Sequence, residues 1–292
     1  MLELAAMLLA LGLDPADPRE VCLPWSAGDG GSPVITATVN GRGPFHLVLD
    51  TAASGTTLDE AAIATLGLNR DVATEQAEGL GGPMSVRLFK AARIEAGPIT
   101  LGDLTVPEIP APDFDSHDVA GLGGVDLLAG RLTVWRPETG CVGLLPAGQT
   151  PPETSWATIE ATWLQPWKIM LPVHIGAVEG LALLDTGAQH TVLNPAYAAE
   201  LGLTSASGRL RPGGDISGID GRPMPLSEAD APEAVIGPWR WTSATVKIGD
   251  LPVFARLGDP DAPLMVLGMD WLAGRGFAVD YGARRVWLRP AS

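Results

Sequence analysis

Two aspartates are the residues of this 292-residue chain best placed to do chemistry. Asp50 ends the apolar run Leu47-Val48-Leu49 and Asp185 ends Leu181-Ala182-Leu183-Leu184, and each is followed by a threonine and small residues. A carboxylate at the end of a buried strand is costly if left alone, so a neighbour must share its proton or donate hydrogen bonds. Two such groups meeting in one cleft cannot both ionise cheaply, so the pair holds a single proton over a broad acidic range. The ionised partner can then take a proton from a bound water while the protonated one donates to a carbonyl. That chemistry is amide hydrolysis with neither a covalent enzyme intermediate nor a required metal.

The elements that would bring the two aspartates together come from an internal repeat. At a constant offset of 135 residues, FHLVLDTAASGTTLDEAAIATLGL (45–68) lies on GLALLDTGAQHTVLNPAYAAELGL (180–203) without a gap. Asp50 falls on Asp185, Thr51 on Thr186, Thr56 on Thr191 and Leu58 on Leu193. Three more pairs come in the same order: GLGGPM (79–84) with GIDGRPM (218–224), LGDLTV (101–106) with IGDLPV (248–253), and GVDLLAGR (124–131) with GMDWLAGR (268–275). One unit, doubled and fused, explains this order, and an approximate twofold axis would bring equivalent strand ends to a shared interface.

Each unit reads as a small, mostly β lobe. VITATVNG and PFHLVLD predict two strands around a turn, and IMLPVHIG with LALLD repeats the pattern. DEAAIATLGL and NPAYAAELGL predict short capped helices closed near a glycine. Gly 36 and Pro 26 suit short strands and many tight turns. The expected layout is an N-terminal segment at 1–30, a first lobe at 31–148, a Pro- and Thr-rich linker at 149–166 and a second lobe at 167–292. Trp156, Trp163 and Trp167 are expected to pack at the lobe interface.

LLDTGAQHTVL (183–193) resembles the active-site motif of the retropepsin-like and pepsin-like aspartic proteases, and MVLGMDWL (265–272) resembles their later apolar-apolar-Gly segment. GLGG (79–82) resembles the glycine-rich flap, with GIDG (218–221) as its twin. The resemblance, to a bacterial-type tandem form, covers roughly residues 33–290. It implies two homologous acid-protease β-barrel lobes in one chain with an active-site cleft between them, an extended peptide or protein substrate, and no cofactor. It further implies Asp50 and Asp185 as catalytic dyad, Thr51 and Thr186 as braces across the interface, Ala52 and Gly187 as loop supports, and flaps at Gly79, Leu80, Gly81, Gly82 and at Gly218, Ile219, Asp220, Gly221. Both lobes lying in one chain makes a monomer sufficient. The first motif departs from the pattern, reading Asp50-Thr51-Ala52 where Asp-Thr-Gly is expected. An alanine costs about 1 kcal/mol or more if its position needs left-handed dihedrals. The alternative function is therefore a pseudoprotease that binds peptide without cutting it.

The remaining residues narrow the field. A net charge of −15 with no basic run argues against nucleic acid or a polybasic membrane contact. His46, His117, His174 and His190 are scattered without metal-ligand spacing, so no metal site is expected. Asp126 and Asp270, paired by the repeat, are expected to cap the turns or helices after them, and Asp103 and Asp250 to sit in hairpin turns. Cys22 and Cys141 either pair or remain as two buried thiols. The apolar stretch Leu4–Leu13 is too short to span a bilayer and lacks the positive residues of an export signal's first section. Export to a periplasm or beyond and residence in the cytoplasm both stay open.

Overall fold

A computed structural model describes residues 20–165, 167–217, 221 and 223–290. It is mostly β, and the two halves meet on one shared sheet. That sheet runs in the order Val21–Pro24, Cys141–Pro146, Arg131–Arg136, Phe277–Asp280, Arg285–Leu288, Ala157–Ile159. Its central pair crosses the join, with Leu132 opposite Asp280 and Trp135 opposite Phe277. The three strands on one side of the join mirror the three on the other. Trp156 is buried among Leu132, Val134, Leu145, Ala278 and Trp287 against this sheet, and the Trp163 ring stands edge-on to Tyr281. One buried core cluster draws residues from both halves, from Ile35 and Leu49 to Leu184 and Leu267.

Two expectations change here. The segment 1–30 contains the strand Val21–Pro24, and the expected linker 149–166 contains Ala157–Ile159 and Thr162–Leu164. These strands are only three or four residues long and pair on one side, where little alternation is needed. Residues 1–19, with the apolar stretch Leu4–Leu13, lie outside the described residues. Cys22 and Cys141 form a disulfide with a Cα–Cα distance of 5.6 Å, tying the first edge strand to its neighbour.

Each half also builds its own sheet around the aspartate-bearing strand. Strand Arg42–Leu49 pairs antiparallel with Pro33–Val39 and parallel with Val119–Gly123. Val178–Leu184 pairs antiparallel with Lys168–Ile175 and parallel with Leu264–Leu267. Flanked on both sides, these strands are fully buried at Leu47, Val48, Leu49 and Leu184, which accounts for their unbroken apolar runs. The helices fall where their caps predict: Glu60–Leu66 begins as Asp59 accepts from the Ala62 amide, and Pro195–Glu200 as Asn194 accepts from the Tyr197 amide. Asp103 is not in a hairpin turn. It stands at φ +52° within strand Ile99–Pro107, where the pairing with Gly82–Ala96 skips Asp103 and Ala92 together and resumes in the same register. Asp250 lies in the loop after strand Ala244–Ile248.

Candidate active site

The two aspartates sit where the parallel strand pairs end. The Asp50 amide donates to Gly123 O at 2.9 Å and the Asp185 amide to Leu267 O at 3.2 Å. The chain then turns back on each carboxylate. Asp50 Oδ1 accepts from the Ala52 and Ala53 amides at 2.7 and 3.0 Å, and Asp185 Oδ1 accepts from the Gly187 and Ala188 amides at 2.9 and 3.0 Å. Each turn thus fixes one oxygen of its own carboxylate, Oδ1, and leaves Oδ2 free of its own turn's amides.

Thr51 and Thr186 cross the join and are buried. The Thr51 amide donates to Thr186 Oγ1 and the Thr186 amide to Thr51 Oγ1, both at 3.1 Å. Their hydroxyls in turn donate to Leu184 O at 2.8 Å and Leu49 O at 2.6 Å. Four hydrogen bonds in a closed, symmetric exchange hold the two strand ends together, and losing either hydroxyl would take a partner from a buried amide and a carbonyl of the opposite lobe. The Asp50 carboxyl consequently lies against the Asp185 turn, with its Oδ2 and Cγ beside Gly187.

Charge is set by this packing. Burial pushes the Asp185 carboxyl well above the usual carboxylate range, and the neighbouring Asp50 charge pushes it further, against the Ala188 and Gly187 amides and the Lys168 ammonium. Burial also raises Asp50, opposed first by the Ala52 and Ala53 amides and then by Lys168. The pair therefore keeps a proton at pH values where isolated carboxylates have lost theirs.

The alanine departure has a spatial explanation. Ala52 is not among the described non-glycine residues with positive φ, which are Asn40, Asp103 and Arg284. Its side chain packs on the apolar cluster of the second lobe that includes Met170, Leu183, Val192 and Leu251. Gly187 also lacks a positive φ, but a Cβ built on it would collide with Asp50 Oδ2 and Cγ. Close approach requires glycine in the second turn, and neither requirement applies to the first.

Asp126 and Asp270 do not cap helical turns as expected: they lie within Val125–Leu127 and Met269–Leu272, whose N-cap residues are Gly124 and Gly268. Asp126 accepts from the Thr56 amide at 2.9 Å and the Thr56 hydroxyl at 2.8 Å, as well as from the Leu127 amide. Asp270 accepts from the Thr191 amide at 2.8 Å and its hydroxyl at 2.6 Å. Each clamps the far end of its lobe's aspartate turn to the Gly-x-Asp segment. The glycines there, Gly124 and Gly268, lie where a Cβ would strike the turn backbone at Gly55 and His190. The repeat pairs Thr56 with Thr191 and Asp126 with Asp270, but the separations within the two clamps differ, 70 and 79 residues, so sequence reasoning missed them. His190 Nδ1 stands 3.8 Å from Asp270 Oδ2.

Gly79 and Gly82 face each other at the tip of the hairpin formed by Asn69–Gly79 and Gly82–Ala96, with Leu80 and Gly81 as its turn. This tip reaches the opposite lobe: Leu80 packs on the second-lobe cluster and its carbonyl accepts from the Val253 amide at 3.4 Å. Glu78 and Arg256 form an ion pair beside it. The twin hairpin in the second lobe is Arg211–Ser217 with Pro223–Ala231. Of its predicted tip, Gly221 has φ +68°, while Gly218, Ile219 and Asp220 lie outside the described residues.

The family model described as aspartyl protease matches this chain twice, over residues 35–127 and 171–271. The chain belongs to the aspartyl protease family. Each matched stretch holds one aspartate turn and its Gly-x-Asp clamp, so the family unit occurs here in tandem. No curated protein matches the chain. Lys168, at the start of the second lobe's first long strand, is a site residue that motif reading passes over, although it is one of only three lysines in the sequence. No helix among the described residues is long and apolar enough to cross a membrane.

Proposed function

We propose that this aspartyl protease family member is an aspartic endopeptidase whose dyad is Asp50 and Asp185. The observation that carries the reading is the reciprocal Thr51–Thr186 exchange, because it fixes two strand ends so that their carboxyls share a proton-holding site. The ionised carboxylate accepts a proton from water as the oxygen attacks the peptide carbonyl, while the protonated partner donates to the carbonyl oxygen. Collapse of the tetrahedral intermediate returns protons to the dyad and the leaving nitrogen, releasing a carboxylic acid and an amine. An extended substrate would pair its main chain with the edge of the flap hairpin. The apolar cluster beneath Ala52 and Leu80 favours apolar side chains beside the scissile bond. One chain supplies both aspartates, so a monomer suffices. The Cys22–Cys141 disulfide supports an oxidising compartment.

The second reading, a peptide-binding module without turnover, draws on Ala52. The test is acid-favoured cleavage of an unfolded protein, blocked by a statine-type transition-state mimic. Tight binding of peptide with no cleavage from pH 3 to 7 would replace the enzyme reading with the module.

A further inference from the structure

The two lobes present different groups at the base of the cleft. At the start of strand Pro33–Val39 the first lobe has Pro33, and at the matching position of strand Lys168–Ile175 the second has Lys168. Lys168 Nζ donates to Ala52 O at 2.9 Å, across the join and within the first aspartate turn. The same turn directs its Ala52 and Ala53 amides to Asp50. One ammonium therefore holds the outer side of the turn whose inner side holds the carboxylate. No such donor can reach the second turn from Pro33, whose ring carries no N–H.

From this geometry we propose that Lys168 is a positioning residue for the dyad: its ammonium pins the Asp50-Thr51-Ala52 turn from the opposite lobe and supplies the pair with a fixed positive charge. One contact has two effects. The turn keeps its carbonyl engaged while its amides face Asp50, so Asp50 stays aimed into the cleft. The cation also favours the ionised form of both carboxyls, opposing the burial that would otherwise leave both protonated and without a base. The other titratable groups near the pair do not supply this charge. Tyr281, in the turn between strands Phe277–Asp280 and Arg285–Leu288, is buried with its hydroxyl unpartnered among the described residues, and burial pushes it far up, so it stays neutral. Asp126 and Asp270 add negative charge behind the turns, engaged by Thr56 and Thr191. His190 lies beside Asp270.

The test compares wild type, Lys168→Met and Lys168→Arg by pH profiles of kcat/KM on an unfolded protein between pH 3 and 8. Lys168→Met should move both limbs of the profile to higher pH by about one unit, the lower end of what a nearby opposite charge does to a carboxyl. It should also lower kcat. Lys168→Arg, which keeps the charge, should hold the limbs in place. Unmoved limbs in Lys168→Met would overturn the proposal, as would a change in KM alone, which would make Lys168 an occupant of substrate space. The profile rests on the proposed enzyme activity. Carbon-13 titration of the aspartate carboxyls does not: a protein without turnover should still show the dyad midpoints rising in Lys168→Met, and static midpoints would sink the proposal independently.

Discussion

The two aspartate turns have nearly the same hydrogen bonds and differ in how tightly they fit. Asp50 and Asp185 each accept from the second and third amides onward, and Thr51 and Thr186 exchange bonds symmetrically. Yet Gly187 lies against the Asp50 carboxylate with no room for a methyl, while Ala52 turns its methyl onto second-lobe side chains and takes a lysine on its carbonyl. A duplicated site can thus keep its polar geometry while its two halves drift in packing. The motif change Gly to Ala is informative only once the direction of the added carbon is known.

Short of removing a carboxylate, Gly187→Ala should do the most damage. The methyl must displace Asp50, and a displacement on the order of 1 Å costs about a hundredfold in rate; turnover within a few-fold of wild type would erase the asymmetry between the two turns. Next comes the disulfide, which secures Val21–Pro24 to Cys141–Pro146, whereas the equivalent edge strand Ala157–Ile159 carries no cysteine. Cys22→Ser should cost roughly 2–4 kcal/mol in denaturant unfolding, without moving the pH profile.

The dyad also predicts a stability signature. Asp185 is an acid whose folded-state value is raised above the ordinary 3.8. The folded protein therefore binds that proton more tightly than the unfolded chain does. The associated stability is present at low pH and declines as pH rises from the ordinary carboxylate range through the raised folded value, with a slope of up to about 1.4 kcal/mol per pH unit. Asp185→Asn should flatten this decline in melts run from pH 3 to 7, and an unchanged slope would show that the pair is not the source. The smallest effect belongs to Ala52→Gly, which loses one methyl contact of about 0.8 kcal/mol and should leave turnover within a few-fold. A large gain would mean that Ala52 obstructs the cleft after all.

Much of this arrangement was legible in the sequence because the repeat samples it twice. Apolar runs ending in Asp-Thr, the capping residues Asp59 and Asn194, and the glycines of the hairpin tip at 79–82 all reflect local chemistry repeated at matching places. The edge strands at 21–24 and 157–159 were not legible, since three or four residues beside prolines and loops carry no alternation. Nor was the Thr–Asp clamp, which joins residues 70 apart in one lobe and 79 apart in the other and becomes visible only when Thr56 meets Asp126 and Thr191 meets Asp270. Lys168 lacks a counterpart in the first lobe, so the repeat that revealed the rest concealed it.

The shared site is tested most directly by measuring acid-phase cleavage of an unfolded protein with Asp50→Asn and Asp185→Asn side by side. If one proton is held jointly, each variant alone loses roughly a hundred- to ten-thousandfold, and the two losses are similar. Cleavage retained by either variant would contradict the joint dyad and leave a single aspartate, or another group, as the base.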